Sequence, residues 1–135
     1  MVKRESRTAR RVPDPLTSRL PRWRGEPSKD ATLAARKFLA LLLDDDVAAL
    51  VLDHFQETTA TRTWKTVDLL RAANLPILKR EDPHVTGELS RIANGVKLSP
   101  VLVLRGRPPT IVEGYHRICA AYHCDPDADI HVRLA

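Results

Sequence analysis

Apolar positions after residue 30 recur at the spacing of amphipathic helices. Asp30 has a side chain suited to cap a helix, and the leucines that follow predict a first helix ending near Leu43. The acidic run at residues 44–46 then interrupts the apolar stretch and predicts the charged first turn of a second helix. The apolar side of this second helix comprises Val47, Leu50, Val51, His54 and Phe55.

Two further helices are predicted between residues 64 and 95, after a polar loop at residues 57–63. The third carries Trp64, Val67, Leu70 and Ala73 at helical spacing and stops near Asn74. An extended piece at residues 75–78 leads to the fourth helix, which begins at Pro83 and ends at Asn94-Gly95.

The last third of the chain predicts strands around one helix. Residues 100–104 form a short apolar run rich in β-branched side chains, and residues 110–113 follow after a turn. A helix is predicted over residues 116–123. Residues 130–134 alternate apolar and polar side chains, which is typical of a strand. The chain therefore predicts an α+β fold, with helices first and a β-β-α-β unit last.

Charge separates the beginning of the chain from the rest. The formal net charge is +5, and residues 1–30 hold nine Lys/Arg against four Asp/Glu, so the remaining residues balance to zero. Residues 1–29 also contain four prolines and no periodic apolar face, which predicts a flexible basic arm able to bind DNA or another polyanion. Trp23 either stacks on a base or docks on the domain, and we expect docking.

Residues 30–135 are predicted to form a single domain, in which 30–65 are a helical extension and 66–135 the core. No apolar run approaches the roughly 20 residues that span a bilayer. The basic N-terminus lacks the apolar core of a signal peptide. Cys119 and Cys124 lie five apart on one predicted helix and do not face each other, so we expect no disulfide and a cytoplasmic protein without membrane contact.

The run Gly114-Tyr115-His116-Arg117 stands where a strand turns into a helix. Glycine permits a sharp turn and a close approach of ligand to backbone. The first amides of a helix are unpaired donors whose dipole favours an anion. A histidine and an arginine add donors suited to phosphate. These four residues therefore predict a phosphate pocket.

This run resembles the nucleotide-binding element of the ParB/sulfiredoxin superfamily, which has Gly-Glu-Arg-Arg or Gly-Cys-His-Arg at the corresponding point. The likeness extends upstream through residues 89–103 and covers about residues 66–134. It implies a small mixed sheet with helices, here preceded by an N-terminal helical layer. It also implies a nucleotide, CTP, ATP or ADP, whose phosphates are held by Gly114, Tyr115, His116 and Arg117. The nucleotide is expected to bind with or without Mg²⁺.

Two departures limit what the resemblance implies. Tyr115 stands in the place of the sulfiredoxin cysteine, so sulfinic acid reduction is not expected, and Cys119 is expected to pack as a small apolar residue. The domains that follow this core in partition proteins do not follow it in this sequence, so partition activity is not inferred.

Several other residues are candidates for chemistry. Glu113, just before the turn, is a candidate catalytic residue, as a Mg²⁺ ligand or a base. Lys97, Arg105 and Arg107 lie at the ends of the predicted strand pair and are candidate auxiliary contacts to phosphate or DNA, or ordinary solvated charges. A zinc site formed by His116, Cys119 and His123 lacks a fourth ligand, and no resident metal is predicted.

Three functions remain open on the sequence. The leading one is a nucleotide-binding module of the ParB/sulfiredoxin type. The second is a DNA-associated regulatory or antitoxin-like protein that uses its basic arm, and the third is a Mg²⁺-dependent small-molecule kinase or nuclease that uses Glu113. The N-terminal helices are expected to contact either a second copy of the chain or another protein.

Overall fold

The computed structural model describes residues 14–57 and 61–135, which form an α+β fold as the sequence predicts. The helices are α1 (Lys29–Leu42), α2 (Asp45–Glu57), α3 (Thr66–Ala73), α4 (Pro83–Ala93) and α5 (Tyr115–Cys124), and the strands are β1 (Arg62–Lys65), β2 (Val101–Leu104), β3 (Thr110–Glu113) and β4 (Asp129–Leu134). None of these helices is long and apolar enough to cross a membrane.

The four strands form one mixed sheet in the order β1-β4-β2-β3. The two outer pairs, β1 with β4 and β2 with β3, are antiparallel, whereas β4 runs parallel to β2. The sheet therefore contains the predicted β-β-α-β unit, and α5 supplies the crossover that a parallel pair requires.

Helices cover both faces of the sheet. On one face, Ala35 and Leu39 of α1 and Phe55 of α2 pack against Leu102 and Val112. On the other face, α3 and α5 pack against side chains that alternate along β2 and β4, namely Val101, Val103, Ile130, Val132 and Leu134. The helix α4 packs on the outside of α5. This arrangement places the start of α5 at the end of β3, between the sheet and α4.

The strand β1 was not predicted. The sequence pattern predicts a loop at residues 57–63 and a helix from Trp64, but Trp64 lies in β1 and pairs with Ile130. Four residues are too few to show the alternation by which a strand is recognised. Their extended conformation comes from pairing with β4, which is nearly seventy residues away in sequence.

The N-terminal helices differ from the prediction in the side chains that they bury. The cap of α1 is Ser28, whose hydroxyl accepts from the amide of Ala31, and not Asp30. Small residues such as Ala35 face the sheet, while large apolar side chains remain exposed on α1 and α2, namely Leu33, Leu41, Leu42, Val47 and Leu50. These exposed side chains lie where a second copy or another protein is expected to dock, and that contact stays a prediction.

Residues 14–28 do not form the free arm that the sequence analysis expected; they lie along the domain. The amide of Arg24 donates to the carbonyl of Leu98 at 2.7 Å, and the amide of Leu98 donates to the carbonyl of Arg22 at 2.7 Å. Trp23 stacks on His131 with 5.6 Å between ring centroids, which confirms that it docks. The predicted arm also includes residues 1–13, which lie outside the described residues.

A salt bridge holds the beginning of this segment. The guanidinium of Arg80 donates to both carboxylate oxygens of Asp14. This hydrogen bonding keeps the pKa of Asp14 below its usual value. The backbone pairing and this ion pair therefore fix residues 14–28 to the domain. The composition of the segment did not predict that contact.

Candidate functional site

The turn between β3 and α5 is built around Gly114. This residue has φ 113° and ψ 12°, a left-handed conformation that glycine adopts at low cost. A Cβ at this position would lie 2.9 Å from Nη2 of Arg117 and 3.1 Å from Cγ2 of Val101. The turn therefore requires glycine for two reasons, the backbone conformation and the lack of space.

The amides that begin α5 are not capped by any side chain among the described residues. The start of α3, after Lys65, likewise has no side-chain cap, whereas in α1 and α4 the side chains of Ser28 and Asp82 accept from first-turn amides. Uncapped amides at a helix start need water or a ligand as their partner. The start of α5 is thus the helix end at which the predicted phosphate pocket has open donors.

The guanidinium of Arg117 lies against the turn at Gly114, but its donors are already engaged by the protein. The residue is only 7% exposed, and its Nε donates to the carbonyl of Ser99 at 2.9 Å. Its Nη2 donates to the carbonyl of Pro100 at 3.2 Å, and both Nη atoms donate to the carboxylate of Glu113. The expectation that Arg117 grips phosphate therefore needs correction, because its donors hold β2 and β3 to α5.

The same contacts change the role of Glu113. Its two carboxylate oxygens accept from Arg117 in a two-pronged ion pair between residues four apart, with side chains 9% and 19% exposed. A carboxylate neutralised in this way is a weak candidate for a Mg²⁺ ligand or a base. Glu113 instead anchors Arg117 below the turn.

Three aromatic side chains, Tyr115, His116 and His84, meet at the start of α5. The hydroxyl of Tyr115 donates to the carbonyl of Pro76, and burial raises the pKa of Tyr115, so the phenol remains a neutral donor. The imidazole of His116 lies 4.8 Å from that of His84 and 5.7 Å from the ring of Tyr115. His84 is in the first turn of α4, so two helix starts each bring an imidazole to one place.

The three predicted auxiliary cations are not brought together. Lys97 lines a cleft with Arg24 and Arg133. Arg105 lines a separate apolar cavity of about 440 Å³ between α3 and the β2–β3 turn, together with Trp64. Arg107 is exposed in that turn. Only Lys97 therefore has basic neighbours in a shared cleft.

Cys119 and His123, two of the three residues of the zinc alternative, make other contacts. Cys119 is fully buried against α4, as expected for a packed thiol, and the amide of Leu78 donates to its Sγ at 3.4 Å. Burial raises the pKa of Cys119 and that of Cys124, the latter to about 11. His123 contacts the carbonyl of Leu78. No metal-binding group of three His, Cys, Asp or Glu occurs within residues 14–57 and 61–135.

Two residues of interest were missed by the sequence analysis. His84 follows Pro83 at a helix start, and nothing in the sequence indicates that it meets His116. Arg133 is one of the polar positions in the alternating strand at residues 130–134, but it is 5% exposed. Both depend on packing between distant segments, which no local pattern reports.

No family model, curated protein or solved structure matches this chain.

Proposed function

We propose that this protein is a nucleotide-binding protein of the ParB/sulfiredoxin type that holds nucleotide phosphates at the start of α5. The observation that carries the proposal is the uncapped helix start at Gly114, beside the paired imidazoles of His84 and His116. The order β2, β3, α5, β4, with the glycine turn before the helix, supports the same assignment.

The phosphate is bound by the backbone and by histidine, not by arginine. Successive amides at the start of α5 donate to phosphate oxygens, and the helix dipole favours the negative charge. His116 lies in the first turn of α5 and His84 contacts it, so either ring can add a donor. Tyr115 fixes the turn to the segment before α4 through its bond to Pro76.

Arg117 and Glu113 act as positioning residues in this proposal. Their ion pair sets the conformation of the turn, and Arg117 also contacts the carbonyls of Ser99 and Pro100 just before β2. The geometry thus favours binding over turnover, because the carboxylate of Glu113, the candidate catalytic residue, is already paired. Any Mg²⁺ would arrive with the nucleotide and would not require Glu113.

Calorimetric titration with ATP, ADP, CTP and GTP, each with and without Mg²⁺, tests this proposal. Loss of one hydrogen bond to a charged phosphate is worth about 1.5–3 kcal/mol, so His116→Ala should bind at least about tenfold more weakly. His54→Ala is a matched control, because His54 is exposed in α2. Saturation by none of the four nucleotides, or equal affinity of His116→Ala and the wild type, would contradict the proposal.

A further inference from the structure

Arg133 in β4 is a buried arginine without a carboxylate partner in the part of the chain that the structure describes. It is 5% exposed, and its Nη1 donates to the carbonyls of Phe55 and Gln56 at 2.9 and 3.3 Å. Its Nη2 donates to the carbonyl of Gly25 at 2.6 Å. Among residues 14–57 and 61–135, no carboxylate oxygen lies within 4.0 Å of its nitrogens.

The carbonyl contacts explain the position of Arg133 but do not neutralise it. The end of α2 carries a partial negative charge, and a cation there is favourable. A full charge out of water nevertheless remains costly without a counter-charge. The Nε atom is also buried and has no hydrogen-bond partner within the described parts of the chain. The protein thus holds an incompletely satisfied cation in its interior.

Two exposed cations lie beside this buried one. Arg24 and Lys97 line a cleft of about 480 Å³ with Arg133, Gly25 and Glu26. Pairing of the 22–24 segment with Leu98 brings Arg24 next to Lys97. Glu26 is the one carboxylate of the lining, and it makes no ion pair within 4.0 Å to any of the three cations. Three cationic residues therefore line one opening together with a single carboxylate.

We propose that this cleft binds a phosphate group, and that the phosphate belongs to a nucleic-acid backbone. An anion seated among Arg24, Lys97 and Arg133 supplies the counter-charge that the fold lacks. The sequence around Arg24 is also basic, since residues 1–30 hold nine Lys/Arg against four Asp/Glu, and this excess of positive charge favours a polyanion over a small anion. This site is separate in function from the nucleotide site at α5.

The first test measures fluorescence anisotropy of a labelled DNA oligonucleotide with the full chain at several salt concentrations. The double variant Arg24→Ala/Lys97→Ala should bind roughly tenfold more weakly, and its salt slope should fall by about two, one for each lost phosphate contact. The matched control is Arg36→Ala/Lys37→Ala, which removes the same charge from exposed positions of α1. It should retain the wild-type slope.

The second test observes Arg133 itself in the wild-type protein, so Arg133 need not be replaced. The signal of its Nε–H group in nitrogen–proton NMR spectra should shift on titration with inorganic pyrophosphate, and the shift should be lost in Arg24→Ala/Lys97→Ala. Pyrophosphate binding at Arg133 without oligonucleotide binding would place a small phosphate compound in the cleft and overturn the nucleic-acid source.

The phosphate site itself is overturned if pyrophosphate leaves the Arg133 signal unmoved, or if both double variants lose affinity and slope equally. Equal losses would mean that net charge alone attracts DNA. His116→Ala should bind the oligonucleotide like the wild type, which separates this test from that of the nucleotide site.

Discussion

Arg117 and Arg133 are two buried arginines that the fold treats differently. They are 7% and 5% exposed, and each donates to backbone carbonyls of neighbouring elements. Arg117 additionally meets the carboxylate of Glu113 in a two-pronged ion pair. Within residues 14–57 and 61–135, Arg133 has carbonyl partners only, and its Nε has no partner.

This difference indicates that Arg117 has a structural role, whereas Arg133 is the arginine that we propose binds an external anion. Around Arg117 the charge is balanced inside the protein, so the turn at Gly114 offers amides and imidazoles, not a free guanidinium. Around Arg133 the charge is unbalanced and two exposed cations add to it. The partners of a buried guanidinium therefore indicate anion binding better than the sequence motif in which the arginine occurs.

Replacing Glu113 by Gln should produce the largest loss of stability. The change leaves the Arg117 charge buried without a counter-charge, and breaking a buried ion pair costs about 3–5 kcal/mol. The free energy of unfolding, measured by urea denaturation, should fall by about this amount. The matched change Asp129→Asn breaks the exposed pair with Lys65, whose side chains are 47% and 53% exposed, and should cost less than about 1 kcal/mol. Equal losses in the two variants would mean that the Glu113–Arg117 pair does not support the turn.

A smaller loss is expected for Gly114→Ala. Alanine pays about 1–2 kcal/mol for the left-handed conformation, and its Cβ must also displace the guanidinium of Arg117. Gly87→Ala in α4 is the control, since nothing lies within 4 Å of its added Cβ and alanine favours a helix interior by up to about 1 kcal/mol. Thermal melting should therefore shift downwards for the first variant and upwards for the second. A stabilised Gly114→Ala would show that the turn is not constrained by Arg117.

The sequence predicted local elements well and long-range pairings poorly. The strands β2, β3 and β4 and the glycine turn were recognisable because β-branched runs and glycine act locally. The strand β1 and the docked segment around Trp23 exist because of partners at Ile130 and Leu98, which a local window cannot include.

The site divides in the same way. Glu113 and Arg117 are four residues apart, a spacing that permits pairing across a single turn, so this ion pair was accessible from the sequence. The sequence pattern was instead interpreted as phosphate binding by Arg117 and as Mg²⁺ binding or base catalysis by Glu113. The contact of His84 with His116, and the burial of Arg133 under the end of α2, depend on tertiary packing and had no sequence signal.

Replacing Arg133 by Met should lower the free energy of unfolding by about 1–2 kcal/mol. We expect this loss to be smaller than those of Glu113→Gln and Gly114→Ala. Methionine keeps the apolar stem, and the variant loses hydrogen bonds to carbonyls without leaving an unpaired carboxylate behind. Arg117→Met is the comparison, because it strands Glu113 and should cost about 3–5 kcal/mol. Urea denaturation of both variants in phosphate-free buffer measures the difference. Losses of the same size would mean that the charge of Arg133 is balanced within the protein, and the cleft beside it would then have no need of an anion.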